Sequence, residues 1–199
     1  MAERTYIRES PRLGCRVVRS RGACRLERSL GRTLAATFLT ESLMPIQIEP
    51  AQATDYLNVA ALDRLAWPIV PDVFIPDGEH IWRVWSDTAT LLVARRIAES
   101  PLRESHDIAG ALVQFPTKRG ELFLHKIMVH PDCRGTGVGT ELMKAALAQA
   151  DVPVLLTVDP NNAPAVKLYQ CLGFTLREHI RGFYRPHEDR YLMAYLPTK

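Results

Sequence analysis

Residues 134–139 read Arg134-Gly135-Thr136-Gly137-Val138-Gly139, three glycines at alternate positions directly ahead of an amphipathic stretch. Bare backbone lets successive N–H groups converge on one point, and a helix starting there adds unpaired N–H groups and a positive dipole end. The chemistry implied is anion binding: a pyrophosphate fits such a cradle, with Arg134 as its charged partner. Two better-known loops fail on spacing. A P-loop needs Lys followed by Ser or Thr, whereas Thr140 and Glu141 follow Gly139. A dinucleotide fold needs G-x-G-x-x-G with an acid roughly 20 residues on. Asp159 would serve as that acid, but Gly135-x-Gly137-x-Gly139 is the wrong pattern and comes late in the chain. For the loop alone, a tight strand-to-helix turn without a ligand stays open.

A second constellation lies at residues 162–174, N-x-x-A-x-x-L-Y-x-x-x-G-F. Asn162, Ala165 or Val166, and Tyr169 share one face if the segment is helical. Asn162 suits the cap, Pro164 the first turn and Gly173 the end. Taken alone, Tyr169 reads as a packed core tyrosine. His125 lies four residues before Val129 in a β-rich run, and strand alternation predicts both on one sheet face. An imidazole with a reference pKa near 6.5 suits a general base; a strand histidine that is simply packed or wet is the equal alternative.

These residues need elements to position them. A short strand is expected at Ile46 to Glu49, then a helix capped by Thr54 and running to Ala66, ended by Trp67-Pro68. A passage with Pro68, Pro71 and Pro76 leads to a second helix, Glu79 to Ser86, whose Trp82 and Trp85 are expected to line a surface. Leu91 to Ile97, Ile108 to Phe115 and Leu122 to Val129 read as an antiparallel meander. A helix from Val138 to Ala150, a buried strand Val154 to Val158, a helix from Asn162 to Leu172, and strands Phe174 to Ile180 and Tyr191 to Leu196 complete one mixed α/β domain.

At 199 residues, 47% hydrophobic and 24% charged, the chain has the composition of one ordinary globular domain. No apolar run approaches the roughly 20 residues that span a bilayer, so no membrane partner is expected. The net charge of +3 is unevenly spread: residues 1–43 hold nine Arg and four Glu, while the remainder is slightly acidic. That tail is expected to be a poorly ordered extension, with Met44 an alternative start; a nucleic-acid partner would rest on the tail alone and is not expected. Cys15, Cys24, Cys133 and Cys171 show neither metal-type pairing nor a disulfide scaffold, so no metal is expected and a reducing cytoplasm is the default. Cys133, beside the glycine loop, reads as an ordinary small residue.

Taken together and in this order, the loop from Arg134 and the Asn162 to Phe174 pattern resemble the GNAT superfamily of N-acetyltransferases, over about residues 44–199. The resemblance implies a GNAT-type mixed α/β fold: a largely antiparallel central sheet flanked by helices, splayed at an acetyl-CoA site between Leu122–Val129 and Val154–Val158. It implies cofactor contacts from Ile127, Met128, Val129, Arg134, Gly135, Thr136, Gly137, Val138, Gly139, Thr140, Asn162, Ala165 and Tyr169. It also implies that the Val129 N–H polarises the thioester carbonyl and that Tyr169 protonates the departing thiolate. With a thiol near 8.5 and a tyrosine near 10, that proton transfer is expected to be close to balanced. His125 would be the base, a water relay being the alternative.

The segment from Gly173 to Tyr195, with Phe183 and Tyr184 at its tip, resembles the last hairpin of ribosomal-protein alanine N-acetyltransferases. Where those enzymes carry a catalytic Glu, this chain has Thr157. The acceptor is therefore expected to be a protein N-terminus or a small amine drawn by Asp77, Glu79, Glu188 and Asp189 to a site walled by Trp82, Trp85 and Tyr184. The protein would act as a monomer or homodimer; a non-catalytic coenzyme A-binding module is the alternative.

Overall fold

The computed structural model describes residues 45–67, 76–97 and 108–198. The expectations for the basic tail, the alternative start at Met44, Cys15, Cys24, Pro68 and Pro71 lie outside the described residues.

The central sheet has seven strands, β1 (Ile46–Pro50), β2 (Thr90–Arg96), β3 (Ile108–Pro116), β4 (Leu122–Val129), β5 (Val154–Val158), β6 (Thr175–Ile180) and β7 (Arg190–Tyr195). Their order is β1-β2-β3-β4-β5-β7-β6. All neighbours are antiparallel except β4 and β5. That one parallel pair needs a crossover, which the helix α3 (Val138–Ala148) supplies.

Both sheet faces are covered, which explains why β2 and β3 are nearly continuous apolar runs. Leu91, Val93, Ala111, Val113 and Met128 pack under α1 (Tyr56–Ala66) and α2 (Glu79–Thr88). Leu92, Leu112, Leu124 and Leu156 pack under α3 and α4 (Ala163–Cys171). Each such buried Leu, Val or Met side chain contributes about 1.5–3 kcal/mol relative to exposure. Gly110 on β3 allows α3 to start hard against the sheet, since a Cβ there would come within 2.9 Å of both the Met128 carbonyl and Val138 Cγ1.

Two details of the first helices differ from the sequence reading. Thr54 does not cap α1; the residue ahead of the helix is Asp55, and its side chain makes no capping bond. Its carboxylate instead accepts from the Gln52 N–H and from Arg95, both at 2.8 Å, so the turn is closed from β2. In α2, Trp82 is wholly buried rather than lining a surface. Its ring fills the layer between α1 and the sheet while Trp85 remains half-buried.

Candidate active site

The pairing of β4 with β5 stops early. Leu122 to Leu124 oppose Val154 to Leu156, and beyond them the two strands part although each stays paired on its other side. A cavity of about 730 Å³ opens at this split. His125 and Ile127 from β4, Thr157 and Val158 from β5, and Asn162, Ala165 and Tyr169 from α4 stand on its wall. Trp67 and Asp77 close one side, and Tyr184, Arg185, Glu188 and Arg190 of the β6–β7 hairpin close the other.

β4 carries a bulge that corrects the expectation for His125. Val113 opposes Lys126 and Gln114 opposes Leu124, so His125 is the unpaired extra residue. The alternation flips there: Leu124 faces α3, whereas Met128 lies under α1 and α2. His125 therefore does not share a face with Val129. Its ring meets Trp85 at 5.0 Å and Phe115 at 5.7 Å, on the α2 side, while Val129 packs toward α3. Loss of water between these rings, together with the neighbouring Lys126 charge, holds the His125 pKa below the ordinary imidazole value.

Tyr169 is brought to the cavity by α4, which begins as expected: the Asn162 side chain accepts from the Ala165 N–H at 3.3 Å, with Pro164 in the first turn. The ring is 7% exposed and packs 5.8 Å from Phe174. Burial pushes its pKa up to about 12.

The glycine loop adopts the expected geometry at the other end of the split. Gly135 and Gly137 have φ of +77° and +93°, the left-handed region that disfavours any side chain. Nothing lies within 4 Å of where either Cβ would be, so the concavity is open. The first intrahelical bond of α3 runs from the Glu141 N–H to the Gly137 carbonyl, leaving the N–H groups of Val138, Gly139 and Thr140 ahead of it. Bare backbone, open space and a helix N-terminus together fit a pyrophosphate. The His130 N–H bonds the Ala109 carbonyl of β3, so by strand alternation the Val129 N–H turns the opposite way, toward the split.

Two residues of the expected cofactor set sit differently. The Met128 side chain is buried under α1 and α2, leaving only its main chain available. The Arg134 guanidinium donates to the Ala66 carbonyl at 2.8 Å.

The acceptor side holds residues that the sequence did not single out. Asp63 is wholly buried and accepts from Lys126 Nζ at 3.1 Å, from the Asp77 N–H at 2.8 Å and from Trp82 Nε1 at 3.3 Å. Lys126 also pairs with Asp77. The signal was present: a lone acid on the buried stripe Val59, Ala60, Leu62, Ala66 and a lone lysine in an apolar strand. Across the cavity, Arg190 lies 3.7 Å from Asp159 and 5.1 Å from the Tyr184 ring centre, and Arg185 pairs with Glu188. Of the acids expected to attract an amine, Asp77 and Glu188 reach the wall. Glu79 instead pairs with Arg64 at the surface, and Asp189 holds His179 and the Gly182 N–H.

The mixed sheet thus splits between β4 and β5, the one parallel pair among the described strands, with a glycine loop opening α3 and the capped, tyrosine-bearing α4 beside it. Residues 59–174 match the family described as "Acetyltransferase (GNAT) family", and the chain belongs to it. It is 39% identical over 90 residues to an N-alpha-acetyltransferase of Sulfurisphaera tokodaii, a match covering 42% of this chain and 53% of that protein. It is 30% identical over 182 residues to a mycothiol acetyltransferase of Thermobispora bispora, covering 81% of this chain and 56% of that protein. The chain thus spans about half the length of these two relatives. Its fold is that of the ribosomal-protein-S18-alanine N-acetyltransferase of Escherichia coli, with a TM-score of 0.62 at 20% identity over 78% of this chain and 96% of the other. The same holds for NAA60 of Arabidopsis thaliana, solved with a bisubstrate analogue, with a TM-score of 0.62 at 18% identity over 76% of this chain and 98% of the other.

Proposed function

We propose that the protein moves an acetyl group from acetyl-CoA to a primary amine by direct attack, the acceptor being a small-molecule amine or a protein N-terminus. The observation that carries this reading is the split between β4 and β5, which brings Tyr169, Asn162 and His125 to one cavity beside the glycine loop. Bound there, acetyl-CoA supplies an activated thioester. The chain's own residues do the rest. The N–H groups from Val138 to Thr140 hold the pyrophosphate, and the Val129 N–H, turned into the split, hydrogen-bonds the carbonyl oxygen as negative charge develops on it.

His125, held neutral below the ordinary imidazole range, accepts a proton from the amine. Tyr169 takes a more limited part than a balanced proton transfer. Burial pushes its pKa up to about 12 and so disfavours loss of the phenolic proton, and Tyr169 serves as hydrogen-bond donor to the forming thiolate. Water then protonates the sulfur after release.

The acceptor end mixes charges. Asp77 and Glu188 suit an ammonium group arriving from water, and Lys126, Arg185 and Arg190 balance them, so strongly polycationic acceptors gain little. Thr157 on the wall has no titratable group to compete with His125 for that role. The test is thiol release from acetyl-CoA with a mixed panel of small amines and short peptides. Acceptor-dependent release supports the reading, and coenzyme A binding without release with any acceptor would replace it with a non-catalytic module.

A further inference from the structure

The last turn of α1 is gripped from two directions. Asp63 is held by Lys126 of β4, by Trp82 of α2 and by the Asp77 N–H. Three residues on, the Ala66 carbonyl accepts from Arg134 Nη2, a bond that joins residues 68 apart in the chain. A helix C-terminus leaves its last carbonyls without intrahelical partners and carries the negative dipole end, so a guanidinium placed there answers both. The following residue, Trp67, donates its N–H to the Asp63 carbonyl at 3.0 Å and puts its side chain on the cavity wall. Arg134 itself is not on that wall.

We propose that Arg134 is a positioning residue for the acceptor wall: its guanidinium holds the end of α1, and with it Trp67, while the loop's backbone alone holds the pyrophosphate. For the occupant of the loop this rests on the acetyl-CoA reading above, and it departs from the charge pairing expected of Arg134 from sequence. Two observations support the division of labour. Ala66 is buried, so withdrawing Arg134 leaves its carbonyl to find another donor where water is scarce. The loop, in contrast, has positive-φ glycines and a helix N-terminus of its own and needs no side chain to bind an anion. Arg134 thus ties the loop that binds the donor to the helix end that walls the acceptor.

The test compares wild-type protein with Arg134→Met, which keeps the length and loses the donors, and Arg134→Lys, which keeps one. Backbone hydrogen exchange across residues 61–67 reads the grip, and calorimetric titration with coenzyme A reads the loop. Losing a net hydrogen bond raises exchange in the last turn of α1 about tenfold in Arg134→Met, and Arg134→Lys restores most of the protection. Both variants bind coenzyme A within about threefold of wild type, because the backbone donors are untouched. With the best acceptor from the panel, KM rises in Arg134→Met while kcat changes less, and Arg134→Lys recovers it. Unchanged exchange in α1 overturns the proposal. So does a tenfold or larger loss of coenzyme A affinity in Arg134→Met, whatever happens in α1. If wild-type protein fails to bind coenzyme A, the acetyl-CoA reading falls, and the exchange measurement still decides what Arg134 holds.

Discussion

On the donor side of the cavity, six consecutive residues and one capped helix do the positioning. Gly135 and Gly137 set the loop, α3 supplies N–H groups, and Asn162 starts the helix that carries Tyr169. On the acceptor side the pairings around α1 and β4 are long-range. Asp63 meets Lys126 across 63 positions, Arg134 meets Ala66 across 68, and His125 is walled by Trp85 from α2 and Phe115 from β3. The difference teaches where each kind of recognition comes from. On the proposed reading, a pyrophosphate is bound by main chain, which a short motif can shape; an acceptor is bound by side chains that only the finished fold assembles.

The sharpest way to break that contrast is at Asp63. Asp63→Ala strips a nearly buried lysine of one partner and leaves the Trp82 and Asp77 N–H groups without an acceptor, which lowers the unfolding free energy by about 3–5 kcal/mol. Urea unfolding measures it. Coenzyme A affinity of the folded fraction should stay near wild type, and a parallel collapse of that affinity would show the two sides to be one unit. Next in size is Tyr169→Phe, which removes the donor to the thiolate and keeps the ring in its packing beside Phe174. We expect kcat to fall about 10²- to 10³-fold with coenzyme A binding nearly unchanged, read by steady-state thiol release and by titration.

Legibility from sequence follows the same division. The order of elements, the meander and the strands Leu122–Val129 and Val154–Val158 could be read because apolar periodicity and turn residues are local signals. The Asn162 cap and the positive-φ glycines could be read for the same reason. The bulge at His125 could not: nothing in Leu124-His125-Lys126 marks an extra residue, and one unpaired position was enough to move His125 off the face of Val129. The burial of Trp82 and the turn of Arg134 toward Ala66 are likewise decided by partners distant in the chain. The Tyr169 proton, expected near balance with a thiol, is shifted by the same cause, since burial is a property of the packed structure.

Gly137→Val tests whether backbone alone shapes the donor side. A β-branched residue at φ +93° carries about 1–3 kcal/mol of strain, relieved by moving the loop, so coenzyme A affinity should fall about 10- to 100-fold. The open space around Gly137 means that this loss comes from conformation and not from a clash. Titration with coenzyme A reads it, and an unchanged affinity would remove the loop from the site.

The smallest expected effect is a displacement on the pH axis, and it probes the acceptor side through His125. The base must be neutral to act, so kcat/KM falls as pH drops through the His125 pKa. Burial between Trp85 and Phe115 and the Lys126 charge hold that pKa below about 6.5, so the acid limb should lie below the ordinary imidazole range. Replacing Trp85 with Ala opens the ring to water and reduces the desolvation that depresses the pKa, which moves the limb upward toward 6.5. His125→Gln abolishes this limb and lowers the plateau, leaving only the ionisation of the acceptor amine in the profile. A limb that persists in His125→Gln, or one that does not move in Trp85→Ala, would assign the proton to a water relay. The bulge in β4 would then serve to seat Lys126 on Asp63 rather than to present a base.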